Sequence, residues 1–214
     1  MSSLGPHRLE YSKGTLDVDQ LDPDPIQQFL KWFRDARDAG NLEPSAMTLA
    51  TVGADGRPHA RMVLLKAADD RGFVFATHFN SPKGRDLATN PSTALVFFWP
   101  ETQRQVRIEG PCTRLEAADN AALFTSRPKE AQVAASLGGQ SMPVADRATL
   151  HALFREAIER FANSDVPAPI ETWGGYALRP ETIEFWQGGL HRLHDRLRCS
   201  RQESGAWKVE RLMP

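Results

Sequence analysis

The chain has 214 residues, 41% apolar and 25% charged, with a formal net charge of −1. That balance fits a soluble globular protein with a substantial core and excludes binding to nucleic acid through net basic charge. Cys112 and Cys199 are the only cysteines, and no apolar run approaches membrane-spanning length, so the expectation is a cytoplasmic protein without disulfides, nucleic-acid partner or membrane contact.

Residues 1–22 are polar, with Arg8, Tyr11 and Lys13 standing out. They read as a flexible arm, either a solvated tail or a cover for a site. Residues 23–214 read as one domain. Asp24-Pro25 starts a helix, with Asp as N-cap and Pro at the first position. Ile26, Phe29, Leu30, Phe33 and Ala36 follow at helical spacing, and Gly40 suits the stop. Strands then follow at Met47 to Val52, His59 to Lys66 and Phe73 to Thr77, joined by turns at Asp55-Gly56 and at residues 69–72. Within the second, Met62, Leu64 and Lys66 share one face, and Arg61, Val63 and Leu65 the other. The charged ends of both faces belong at the sheet's rim.

Ser81-Pro82-Lys83-Gly84-Arg85 precedes a short helix. Helix-start amides beside a lysine suit an anion, although many surface loops look the same. Thr93 to Trp99 and Gln103 to Gly110 are further strands; in the second, Gln105, Arg107 and Glu109 oppose Val106 and Ile108. Residues 116–136 read as helix broken at Arg127-Pro128, and Gly138-Gly139-Gln140-Ser141 as a loop. The loop lacks dinucleotide-fingerprint spacing, and no Walker sequence occurs. Asp146 caps a helix carrying Leu150, Leu153, Phe154, Ala157, Ile158 and Phe161. Three strands close the chain: Tyr176 to Trp186, Leu190 to Ser200, and Trp207 to Leu212. Seven or eight antiparallel strands without regular βα alternation predict an α+β domain around a barrel.

Read as a strand, Leu190 to Ser200 puts Arg192, His194, Arg196 and Arg198 on one face and Leu193, Leu197 and Cys199 on the other. The basic face suits an anionic ligand, or is a solvated edge. On that strand His191 and His194 point oppositely, so no metal site is expected. No Ser/His/Asp set has a nucleophile-elbow context. There remain Arg61, Lys66, Lys83, Arg85, Arg107, Arg127, Arg192 and Arg196, which would suit one or two phosphorylated ligands if the fold gathers them. Trp186 lies next to the basic stretch.

In order along the chain stand Arg8-Leu-Glu-Tyr11, Glu43-Pro44 with Ala46-Met47, Arg61-Met-Val-Leu-Leu-Lys66, Asn90-Pro91, Arg104-Gln-Val-Arg107 with Glu109-Gly110 and Ser126-Arg-Pro128. Gln140-Ser141, Trp173-Gly-Gly-Tyr176, Glu184-Phe-Trp-Gln-Gly188, Arg192-Leu-His-Asp-Arg196 and Arg211-Leu-Met-Pro214 follow. With these motifs the chain resembles the pyridoxine/pyridoxamine 5′-phosphate oxidase family along nearly its whole length. The resemblance implies a homodimeric antiparallel split β-barrel with FMN at the subunit interface. FMN would be held by Arg61, Met62, Val63, Leu64, Leu65, Lys66, Ala76, Thr77, Lys83, Gln105, Gln140, Ser141, Trp186 and Arg196. The substrate would be held by Arg8, Tyr11, Lys66, Arg127, Arg192 and His194, with Arg192 and His194 at the reacting carbon. The implied reaction oxidises pyridoxine or pyridoxamine 5′-phosphate at C4′ to pyridoxal 5′-phosphate, with O₂ as acceptor and peroxide as product.

Leu123 and Ala131 stand where the family pattern has Tyr and Ser beside the phosphate-binding Arg127. Pro82 replaces an Arg, and Ser136 a Trp. Phe75-Ala-Thr-His78 and Lys83-Gly-Arg85 have features of the phenazine-biosynthesis oxidases, which oxidise unphosphorylated ring compounds with FMN on the same barrel. A flavin carrier with little catalysis is a third reading, which the presence of both Arg192 and His194 disfavours.

Overall fold

In the computed structural model, residues 10–169 and 171–214 are described. The protein is an α+β antiparallel split β-barrel with flanking helices. The strands are β1 (Ala46–Val52), β2 (Pro58–Asp69), β3 (Gly72–His78), β4 (Ser92–Trp99), β5 (Arg104–Arg114), β6 (Trp173–Leu178), β7 (Thr182–Gln187), β8 (Asp195–Arg201) and β9 (Trp207–Arg211). Their order in the sheet is β4-β1-β2-β3-β6-β5-β7-β8-β9, and β4 also pairs with β5. The helices are α1 (Pro25–Asp38), α2 (Pro82–Thr89), α3 (Ala117–Thr125), α4 (Lys129–Ser136) and α5 (Arg147–Arg160). None is long and apolar enough to cross a membrane.

The chain packs as two compact units. One consists of the described part of Met1–Thr48 with Ala94–Glu109 and Pro180–Pro214; the other is Leu49–Thr93 with Gly110–Arg179.

In the first unit, Asp24 caps α1 by accepting from Ile26 N–H, and Pro25 occupies the first turn. The helix buries Phe29, Trp32 and Ala36. Phe29 meets Phe97 at 4.9 Å, and Trp32 meets Phe185 edge-on at 5.2 Å. Inward residues of the strands complete the core: Val106 and Ile108, Ile183 and Phe185, Leu197 and Cys199 are all buried. The alternation expected in β5 and in the second half of β8 is therefore present. The described part of the arm is bound to this unit. Leu16 is buried, its N–H donates to Asp195 Oδ2, and Ser12 and Lys13 N–H donate to Gln103 Oε1.

In the second unit, β3 pairs with β2 on one side and with β6 on the other, running Phe73 opposite Leu178 to His78 opposite Trp173. Phe124, Val133, Ala135, Ala157, Val166 and Trp173 form a buried cluster beneath α3, α4 and α5. The paired glycines of Trp173-Gly-Gly-Tyr176 have a steric cause. A Cβ on Gly174 would lie 2.6 Å from Asn120 Cγ, and one on Gly175 would lie 2.6 Å from Leu115 Cδ1. Larger residues would push α3 off the strand. Asn120 closes the contact by accepting from Gly175 N–H at 2.8 Å.

Two expectations are corrected. The stretch Tyr176 to Trp186 is two strands, making nine among the described residues. The break falls at Arg179-Pro180-Glu181, where Pro180 has no N–H for a ladder. Leu190 to Ser200 is likewise not one strand. Residues Leu190–Arg192 form a 3₁₀ turn, with His191 at φ 55° and Arg192 at φ 66°, and β8 begins only at Asp195. Leu193 is 70% exposed rather than core. Arg192 and His194 thus do not share a strand face with Arg196 and Arg198, and the opposition of His191 to His194 does not follow from pleating.

Candidate active site

The second unit holds a cleft of about 490 Å³. Met62, Val63, Leu64 and Lys66 of β2, Ala76 and Thr77 of β3, and Lys83 of α2 line it. Leu123, Ser126 and Arg127 at the end of α3, Pro128, Ala131, Gln140 and Trp173 complete the wall. Eight of the residues expected to hold a flavin are thus gathered with Arg127, which was expected to hold the substrate phosphate. Leu123 and Ala131 line the same space.

The anion end is built on α2. Ser81 caps the helix by accepting from Gly84 N–H, and Pro82 sits in the first turn. Gly84 is required because a Cβ there would come 2.2 Å from Phe79 O. Lys83, next to it, is only 8% exposed. Its Nζ donates to Gln140 Oε1 at 2.8 Å, and that oxygen also accepts from Thr77 Oγ1 at 3.0 Å. Among the described residues the ammonium has no other partner, so it is a buried cation without a carboxylate. Burial, then the nearby Arg61, hold its pKa below the usual lysine range.

Arg61 lies just outside the cleft lining. Its Nη1 donates to Thr51 Oγ1 at 2.7 Å and to Leu49 O and His59 O at 3.2 Å, and Nη2 stands 3.7 Å from Asp86 Oδ2. Asp86 is buried and also accepts from Thr51 Oγ1 at 2.7 Å and meets His59 Nδ1 at 2.9 Å. Burial alone would raise this carboxyl's pKa, but the Thr51 and His59 hydrogen bonds hold it below the usual range. Asp86 was not singled out from sequence; its place one helical turn after Lys83 was the available signal. Arg127 lies over the Trp173 ring at 5.1 Å, its pKa lowered by burial, and among the described residues its guanidinium makes no hydrogen bond. Burial first, then Lys83 and Arg127, lower the pKa of His78.

Leu65 points away from Leu64 along β2 and does not line the cleft. Ser141, at φ 69°, faces a separate apolar groove beside Gln140, Met142 and Leu150. Arg8 lies outside the described residues.

The first unit gathers a second set. Gln105 stands opposite Trp186, and Trp186 opposite Arg196, across β5, β7 and β8. Arg196 Nε donates to Glu184 Oε1 at 2.9 Å, which keeps the guanidinium's pKa above its usual value, and Nη1 donates to Met213 O. Glu184 also meets Arg107 Nη1 at 3.3 Å. Tyr11 meets Trp186 edge-on at 5.5 Å and His194 at 5.7 Å, while Trp186 and His194 are 4.7 Å apart. Gly188 admits Tyr11, since a Cβ there would lie 2.7 Å from Tyr11 Cγ. Burial, then Arg192, lower the pKa of His194.

Residues 33–163 match the family model described as "Pyridoxamine 5′-phosphate oxidase". Residues 173–214 match the "Pyridoxine 5′-phosphate oxidase C-terminal dimerisation region". The chain belongs to the pyridoxine/pyridoxamine 5′-phosphate oxidase family. Among curated family members, the enzyme of Burkholderia cenocepacia (strain HI2424) is 47% identical over 216 residues, with 100% of both chains covered. That of Salinibacter ruber (strain DSM 13855 / M31) is 48% identical over 216 residues, also with 100% of both chains covered. The chain is therefore an oxidoreductase of this family. Among solved structures, PhzG from Burkholderia lata 383, in complex with tetrahydrophenazine-1-carboxylic acid, superposes with a TM-score of 0.85 at 33% identity, covering 94% of this chain and 100% of that one. An FMN-binding relative from Nostoc punctiforme PCC 73102 superposes with a TM-score of 0.73 at 17% identity, covering 91% of this chain and 100% of that one, and shares the fold.

Proposed function

We propose that the protein is an FMN-dependent oxidase that converts pyridoxine or pyridoxamine 5′-phosphate to pyridoxal 5′-phosphate, with O₂ as acceptor and H₂O₂ as product. The observation that carries this reading is buried Lys83 and half-buried Arg127, two cations at one cleft with no carboxylate paired to either among the described residues. Such charges are costly unless an anion joins them. Two phosphates, one on the cofactor and one on the substrate, would meet that need.

The donor set fits FMN. Lys83 and Arg61 supply charge for its phosphate, and the amides of Gln140 and Gln105 suit ring-edge groups. Met62 and Leu64 offer an exposed, apolar strand face for a planar ring, and the family resemblance adds Trp186 and Arg196. When bound, FMN supplies the two-electron acceptor, which O₂ regenerates. The protein binds and orients. Lys66 and Arg127 hold the substrate phosphate, Arg192 and His194 flank its ring, and Tyr11, with Arg8, covers it. Residues 23–214 act as the flavin-binding domain of a homodimer with FMN at the subunit interface, in the cytoplasm. The dimerisation-region match supports the dimer.

A second reading is favoured by Leu123 and Ala131, which give the cleft apolar walls beside Arg127. Without hydroxyl donors there, an unphosphorylated ring compound is the alternative substrate, and the likeness to PhzG supports it. One assay separates the two. Purified protein reconstituted with FMN should release peroxide on addition of pyridoxine or pyridoxamine 5′-phosphate. Flavin binding without turnover would sink the first reading and leave the second. A protein that cannot be reconstituted with FMN would sink both.

A further inference from the structure

The turn from Gly188 to His194 is wound more tightly than its sequence suggests. His191 and Arg192 are both left-handed, at φ 55° and φ 66°. Such a conformation is unfavourable for a residue with a Cβ and persists only where the surroundings enforce it. Gly189 is packed against the turn's far end: a Cβ there would sit 2.2 Å from Leu193 O. Leu193 N–H closes the turn onto Leu190 O at 2.9 Å. The result is that Gly189 N–H points at the ring of His194 and donates to Nδ1 at 3.2 Å.

A backbone N–H can only donate, so Nδ1 must be the unprotonated nitrogen while this bond stands. The ring proton is then on Nε2. Protonating Nδ1 would set two N–H groups against each other and break the contact. The surroundings act in the same direction. Arg192 is the charged group beside the ring, and Tyr11 and Trp186 flank it. Asp195, next in sequence, is turned away to Leu16 N–H and Arg211.

The geometry points to His194 as a fixed hydrogen-bond donor: Gly189 holds it as the neutral Nε2–H tautomer, and it binds an oxygen or nitrogen acceptor of the substrate ring through Nε2 rather than taking a proton there. Gly189 is a positioning residue for it, and the strained turn is what brings the two together. This rests on the oxidase reading for the substrate contact, but not for the tautomer.

The test has two arms. In ¹⁵N-histidine-labelled protein, the His194 ring signals, identified by their loss in H194Q, should show a pyrrole-like Nε2 and a pyridine-like Nδ1 at pH 7.5. The same pattern should persist down to a pH below the ordinary histidine range. A pyrrole-like Nδ1, or an imidazolium at pH 7.5, overturns the proposal. In the second arm, His194→Gln keeps an amide donor near the Nε2 position, whereas His194→Asn keeps only groups near Nδ1. With flavin bound in both, H194Q should retain about tenfold more kcat than H194N, the worth of about one hydrogen bond. Equal losses, or a better H194N, overturn the donor role. If no turnover is seen with either B6 phosphate, the substrate reading fails alone, and the ring signals still decide the tautomer.

Discussion

Replacing Lys83 with Met should weaken FMN binding and yet stabilise the flavin-free protein. The residue is 8% exposed and, among the described residues, its Nζ has one hydrogen bond, to a neutral amide oxygen. Met keeps the unbranched shape of the side chain, one atom shorter, and removes the charge. The lost hydrogen bond costs about 1 kcal/mol, while the relief of desolvation is worth roughly 2 kcal/mol or more for a group this buried. The net gain of about 1 kcal/mol corresponds to a Tm rise of about 2–4 °C for a chain of this size. Against FMN, loss of a charge-assisted bond of roughly 1.5–3 kcal/mol should raise Kd about 10- to 150-fold. The sign with pH follows from the lowered pKa of Lys83. The unfolded chain holds this proton more tightly than the folded one, so the penalty is fully present below the folded-state pKa. It eases as pH rises from there toward the ordinary lysine value. The Tm advantage of K83M should therefore shrink at alkaline pH. Thermal unfolding of both flavin-free proteins from pH 7 upward, with fluorescence titration of FMN, checks each part. A K83M protein that is less stable than wild type at pH 7, or that binds FMN within threefold of wild type, would refute the reasoning.

Three further outcomes are expected. Gly84→Ala places a methyl 2.2 Å from Phe79 O, a backbone atom, and should lower stability by about 1–3 kcal/mol in denaturant unfolding while impairing flavin retention. Asp86→Asn should flatten the acid limb of stability. The Asp86 pKa is depressed in the folded protein, so its contribution is present above the ordinary carboxylate pKa and lost as pH falls through the folded one; urea midpoints between pH 3 and pH 7 read this directly. The double change Leu123→Tyr with Ala131→Ser adds two hydroxyl donors beside Arg127. At about 1 kcal/mol each it should lower KM for the phosphorylated substrate by roughly 30-fold with kcat little changed, and an unchanged KM would argue that the phosphate does not sit there.

Local chemistry made much of this protein legible before its structure. Asp24-Pro25 and Asp146 are caps whose side chains bond their own helices, so two helix starts follow from neighbouring residues alone; Ser81 caps α2 in the same way, but the helix begins at Pro82 rather than after Arg85. Alternation along β2 and β5 fixes which side chains face inward, because the pleat has a period of two. The many ordered motifs identify the family and name most of the cleft's lining. Packing decided the rest. Pro180 divides what reads as one strand: the segments before and after it both pair with β5, but β6 takes β3 as its second neighbour and β7 takes β8. No local rule shows that Lys83 loses its water, that Asp86 turns inward to Thr51 and His59, or that Tyr11 reaches Trp186 across the length of the chain. Nor does alternation predict that Arg192 and His194 leave the strand. That follows from Gly189 lying against Leu193 O, a contact that exists only once the turn has closed.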